Sequence, residues 1–167
     1  DNLHIQEMKK ENDMCITFVV YNAILKEYLS INGISKDKSR NAKIPLLIRK
    51  SPKHVIAAYL RGLFEADGSV IHGYPSICCS SKELLDQVYL LLIGLGIPAM
   101  VKERKVDNEK RFSVDGHMYE CKIVGVVGLE RWKSIIGCEE ESRFMECVNF
   151  FPDISREKNF IIPYPFR

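Results

Sequence analysis

Apolar positions along this chain change period several times, and each change marks an element. "CITFVV" is an apolar run of strand length, and "AILKEYLSI" sets Leu25, Tyr28 and Leu29 at helical spacing. A strand is therefore predicted at about 15–20 and a core-facing helix at about 23–31, stopped by Gly33. "SPKHVIAAYLRGLFEADG" predicts a longer helix with Ser51 at the N-cap, Pro52 in its first position and Gly68 closing it in the left-handed conformation. "SVIHGYPSICCSS" reads as a hairpin whose turn uses Gly73 and Pro75. Ser80 and Glu83 have capping-box spacing, and the following stripe of Leu84, Leu85, Val88, Leu91, Leu92 and Leu95 belongs to a core helix ending at Gly96. "AMVKERKV" and "SVDGHMYECKIVGVV" predict a second strand pair, and "GLERWKSIIG" a helix closed by Gly137. "EEESRFMECVNFF" reads as helix up to Pro152, before an extended tail.

Length and composition narrow the class. With 167 residues, 46% hydrophobic content and a formal charge of +2, the chain suits one globular domain rather than a disordered tail. No apolar run reaches the ~18 residues a membrane span needs, and "DNLHIQEMKKENDM" is too polar for a signal peptide, so a soluble intracellular protein is expected. The absence of an initiator Met points to a fragment or a processed product. The six cysteines lack CxxC spacing and read as reduced, buried thiols, not as a zinc site or a disulfide framework. His54, His72 and His117 have no metal-ligand spacing and read as incidental.

Charge is uneven along the chain. Lys36, Lys38, Arg40, Lys43, Arg49, Lys50 and Lys53 stand together, "KERKVDNEKR" forms a second basic run, and "EEE" at 139–141 is acidic. One such run is usually a solvated loop; two in a small domain also point to a polyanion partner.

An internal comparison bears on organisation. "LKEYLSINGI" (25–34) set over "LERWKSIIGC" (129–138) aligns Leu25 with Leu129, Ser30 with Ser134, Ile31 with Ile135 and Gly33 with Gly137, with Tyr28 over Trp132. Residues 1–50 then read as the closing half of a first repeat, 51–150 as a complete second repeat, and 151–167 as a tail.

Ala58, Gly62 and Ala66 recur every fourth residue, which places them on one helix face where another backbone can approach closely. Asp67 follows at the helix end. If a two-fold mate packs on that face, two Asp67 carboxylates meet, and a divalent cation such as Mg2+ offsets their repulsion and can activate water against a phosphodiester. Alternatively, Asp67 only caps or turns the chain.

"LRGLFEADG" resembles the LAGLIDADG motif of homing endonucleases, with Leu60, Gly62, Leu63, Ala66, Asp67 and Gly68 matching while Arg61, Phe64 and Glu65 depart. The flanking segments are similar to the second repeat of intein-borne members. The resemblance implies an α+β fold, an αββαββα repeat whose antiparallel β saddle lies in the DNA major groove, here preceded by a partial first repeat. It implies Asp67 as metal ligand, with the Gly68 carbonyl beside it, and leaves Glu65 to helix-end packing. Where the family carries a lysine beyond the third helix, this chain has Arg143, which keeps the charge but cannot act as a base. Lys122 is the other catalytic candidate, or else an exposed strand lysine. Lys102, Arg104, Lys105 and Arg111 are the expected phosphate contacts. Ser76, Cys78 and Ser80 share a strand face and could look into the groove, unless a one-residue register shift turns them inward.

The expected partners are double-stranded DNA and either a second copy of the chain or a missing first-repeat segment. The rival readings are an inactive DNA-binding relic and a structural interaction domain.

Overall fold

The computed structural model describes residues 4–9, 16–34, 39–105, 117–140 and 142–149, and it divides between Ser35 and Lys36 into two compact units. In the first unit β1 (Ile5–Lys9) pairs antiparallel with β2 (Ile16–Val20), Ile5 lying opposite Val20, and α1 (Ala23–Ile31) follows. Asn22 caps α1 by accepting the Leu25 N–H at 2.8 Å, and Gly33 beyond its end has φ +70°.

Two expectations change here. β1 was not predicted, because its run "IQEMK" is mostly polar. Leu25, Tyr28 and Leu29 do not enter a core: α1 buries no residue, and Tyr28 is 60% exposed. Cys15, expected to start the strand, lies outside the described residues.

The second unit is α+β. After a short 3-10 turn at Ser39–Asn41 come α2 (Leu46–Arg49) and α3 (Lys53–Asp67), which runs without a loop into β3 (Gly68–Ile71). β4 (Tyr74–Cys79), α4 (Lys82–Gly94), β5 (Ala99–Lys105), β6 (His117–Ile123), α5 (Gly125–Ile135) and α6 (Met145–Val148) complete it. The strands form one antiparallel sheet in the order β3-β4-β6-β5.

Side-chain alternation gives this sheet two different faces. Ile77, Cys121 and Ile123 are buried in a core with Ile56, Leu60 and Phe64 of α3, Leu85, Val88 and Leu92 of α4, and Leu129 and Trp132 of α5. Trp132 lies 6.1 Å from Phe64 and 5.6 Å from Phe144, ring centre to ring centre. Ile44 is also fully buried, so part of the basic segment, of a kind that is usually a solvated loop, packs as core in this unit.

Several local expectations are corrected. Ser51 does not cap α3: helical geometry begins at Lys53, and the Ser51 hydroxyl donates to the Leu47 carbonyl instead. Gly68 is extended, with φ −85° and ψ 169°, because the chain passes directly into β3. The hairpin turn is His72-Gly73, both at positive φ (52° and 78°), which is type I′ chemistry, while Pro75 sits within β4 opposite Val70. α4 is capped one residue later than expected, by Ser81, whose hydroxyl accepts the Leu84 N–H at 3.1 Å. The same hydroxyl donates to the Ala42 carbonyl at 2.6 Å. The helix expected over 139–152 is only α6 among the described residues; Phe150–Pro152 and the tail lie outside them.

Candidate nucleic-acid interface and motif-helix end

α3 is two-sided because its apolar residues fall at 56, 57, 60 and 64. They turn toward the core and leave Ala58, Gly62 and Ala66 exposed. A methyl placed on Gly62 would meet nothing within 4 Å. The predicted small-residue face is therefore open and carries at its end the exposed Asp67.

Glu139, Ser142 and Arg143 hold that helix end. Glu65 accepts the Ser142 hydroxyl at 2.7 Å and the Glu139 N–H at 3.3 Å, which makes it a tether at the helix end. Arg143 donates to the Glu65 carbonyl at 2.8 Å and to the Gly68 carbonyl at 3.0 Å, so its guanidinium satisfies carbonyls that the end of α3 leaves without intrahelical partners. Arg143 is thus a clamp on the helix end. Arg61 fastens the same region by donating from Nε to the Ile136 carbonyl at 2.6 Å. The need for glycine at 68 is spatial: an added Cβ would lie 2.5 Å from the Phe64 carbonyl oxygen and 2.7 Å from the Phe144 ring.

The sheet face turned away from the core holds the second group. Across the ladder Ser76 lies opposite Lys122, which lies opposite Met100, and Cys78 opposite Glu120, which lies opposite Lys102. Lys102, Arg104, Glu120 and Lys122 line one cleft with Ile71 and His72. Lys122 stands 5.5 Å from the centre of the Tyr74 ring.

Ser76 lies on this outward face but does not reach solvent. It is fully buried, and its hydroxyl donates to Glu120 Oε1 at 3.0 Å, while Arg104 Nη2 pairs with Glu120 Oε2 at 2.5 Å. Burial, and then the Glu120 charge, push the neighbouring Cys78 thiol up, so it stays neutral. Ser80 is half-buried between β4 and α4, Arg111 lies outside the described residues, and Lys105 is placed by its backbone alone, opposite His117.

Glu120 was missed in the sequence. "YECKI" gives it the alternation of an outward strand position, and only the flanking side chains bury it. Cys78, Cys121, Cys138 and Cys147 are unbridged thiols. Among the described residues no three His, Cys, Asp or Glu side chains gather as a metal site, and no helix is long and apolar enough to cross a membrane.

A helix ending in an acid and running straight into a four-stranded antiparallel sheet defines a class of α+β module, and the comparisons identify it. The chain belongs to the LAGLIDADG family: the model of the LAGLIDADG-like domain matches residues 54–144. A probable translation initiation factor IF-2 of Methanocaldococcus jannaschii is 30% identical over 140 residues, which are 80% of this chain and 12% of that protein. A DNA polymerase of a Thermococcus species is 41% identical over 66 residues, 37% of this chain and 4% of that protein. The chain therefore spans only a small part of the curated relatives it matches. Solved variants of the homing endonuclease I-DmoI share the fold, with a TM-score of 0.56 and 18% identity over 82% of this chain and 64% of that one.

Proposed function

We propose that this chain is an intein-type homing-endonuclease module that hydrolyses double-stranded DNA at a specific site with a divalent cation, in an active site completed by a second motif helix. The observation that carries the reading is the open Ala58-Gly62-Ala66 face ending in exposed Asp67, in a unit whose basic sheet face is also open. The intein descent is supported by the relatives: one segment recurs as a minor part of proteins whose names have nothing in common, as a mobile insert would.

The residues fit a shared cation. Asp67 supplies one carboxylate, and the Gly68 carbonyl keeps a second lone pair beside the one Arg143 uses. Such a share suits Mg2+, which takes one or two carboxylates and retains waters and substrate oxygens. When bound, the cation would lower the pKa of water and offset charge on the leaving oxygen. The chain's own residues do the rest: Asp67 holds, Arg143 and Glu65 fix the helix end, and Lys102 and Lys122 draw the duplex onto the sheet.

The second helix comes from another copy of this chain or from an upstream motif. The first unit supports descent from a two-motif parent, since β1, β2, α1 and Gly33 repeat the order of β5, β6, α5 and Gly137, both glycines having positive φ (70° and 63°); tested by itself, this chain completes the site by pairing with a second copy. A randomised duplex library incubated with Mg2+ tests the proposal. Discrete cut ends are expected from the native chain and none from Asp67→Asn; equal cutting by the two proteins would refute it.

A further inference from the structure

Glu120 poses a problem of its own. It is 3% exposed, yet it points to the sheet face opposite the core, between Cys78 on β4 and Lys102 on β5. A buried carboxylate is destabilising unless it is paired and hydrogen-bonded, and this one is both, to buried Ser76 and to Arg104. The partner is the unusual member: the Arg104 side chain is 54% exposed and lines the open cleft. A buried acid thus grips one edge of a guanidinium whose remaining surface faces outward.

Given the DNA reading above, we infer that Arg104 reads a guanine in the major groove, and that Glu120 and Ser76 are positioning residues that fix its guanidinium. An antiparallel ribbon such as β5-β6 fits that groove, and an arginine fork matches the O6 and N7 acceptors of guanine. Five N–H donors are more than one carboxylate oxygen engages, so the Glu120 bond orients the fork without consuming it. Ser76 on Oε1 stops the carboxylate from rotating, and the fork with it. Lys102, exposed on the same face, is a flexible point charge suited to phosphate, which attracts every sequence alike.

The test is binding selection from a randomised duplex library in Ca2+, followed by competition with the selected sequence and its single-base variants. The native chain should enrich one guanine, and Arg104→Lys should flatten preference there about tenfold, leaving the other positions within about twofold. Glu120→Gln should flatten the same position less. Lys102→Ala should weaken binding to all sequences evenly. Preference unchanged in Arg104→Lys, or binding without base preference in the native chain, overturns the inference and leaves DNA binding standing. No binding even at low salt overturns the proposed function with it. If Glu120→Gln fails to fold, Ser76→Ala and the exposed Arg104→Lys still decide.

Discussion

Gly62 separates what α3 does for the fold from what it does for function. It lies on an exposed face in the middle of a 15-residue helix, where a methyl group would meet nothing. Alanine is favoured over glycine there by about 1 kcal/mol. For a chain of 167 residues, Gly62→Ala should raise the melting temperature of the isolated protein by about 2–4 °C. If α3 pairs through this face, however, the methyl enters the closest approach of two backbones, once from each helix. Overpacking of about 1–3 kcal/mol per methyl gives about 2–6 kcal/mol per pair, weakening association at least about 30-fold. Thermal melting at low concentration and sedimentation velocity across concentration measure the two effects. Opposite signs are expected, stability up and association down. A variant that is stabilised yet associates and cuts DNA as before would refute the pairing face, and a destabilised one would show that Gly62 is covered.

Other positions give equally definite outcomes. Gly68→Ala should lose about 1–3 kcal/mol in urea unfolding, since two of the three atoms its methyl would meet are backbone oxygens that cannot swing aside. Arg143→Ala should lose about 1–2 kcal/mol with its two carbonyl contacts, and Arg143→Lys about half as much, because an ammonium cannot span both oxygens as the planar fork does. Lys102→Ala should reduce the salt dependence of non-specific DNA binding by about one ion, read as the slope of log affinity against log salt. Burial pushes the Cys121 thiol up to about 12 from 9.0. Its contribution to stability is therefore complete below about pH 9 and is lost as pH rises through about 12, because the unfolded chain ionises first. Cys121→Ala should remove that part of the alkaline decline in denaturant unfolding.

How much of this was legible depended on how local each signal is. The stripe of α4 and the outward set of Ala58, Gly62 and Ala66 follow from 3.6-residue periodicity alone, and the structure turns them as that spacing requires. Cap positions slipped because adjacent serines offer the same chemistry. Ser81, not Ser80, also reaches the Ala42 carbonyl, a contact that sequence spacing does not reveal. Gly68 carried a helix-closing signature, yet its reason is spatial, set by the Phe64 carbonyl and by the Phe144 ring 76 residues further on. The uses of Arg143 and Glu120 were equally hidden. Both are set by long-range partners, the carbonyls of 65 and 68 for one and Ser76 and Arg104 for the other.

The central claim is that α3 brings Asp67 against its counterpart around a divalent cation, and linkage between metal and self-association tests it most directly. The dimerisation constants of the native chain and of Asp67→Asn, measured by sedimentation with and without Mg2+, should differ in a set way. Mg2+ strengthens association of the native chain about tenfold or more, whereas the variant associates more tightly than native without metal and does not respond to it. A chain that stays monomeric under all conditions, or a dimer indifferent to both Mg2+ and the substitution, would contradict the account.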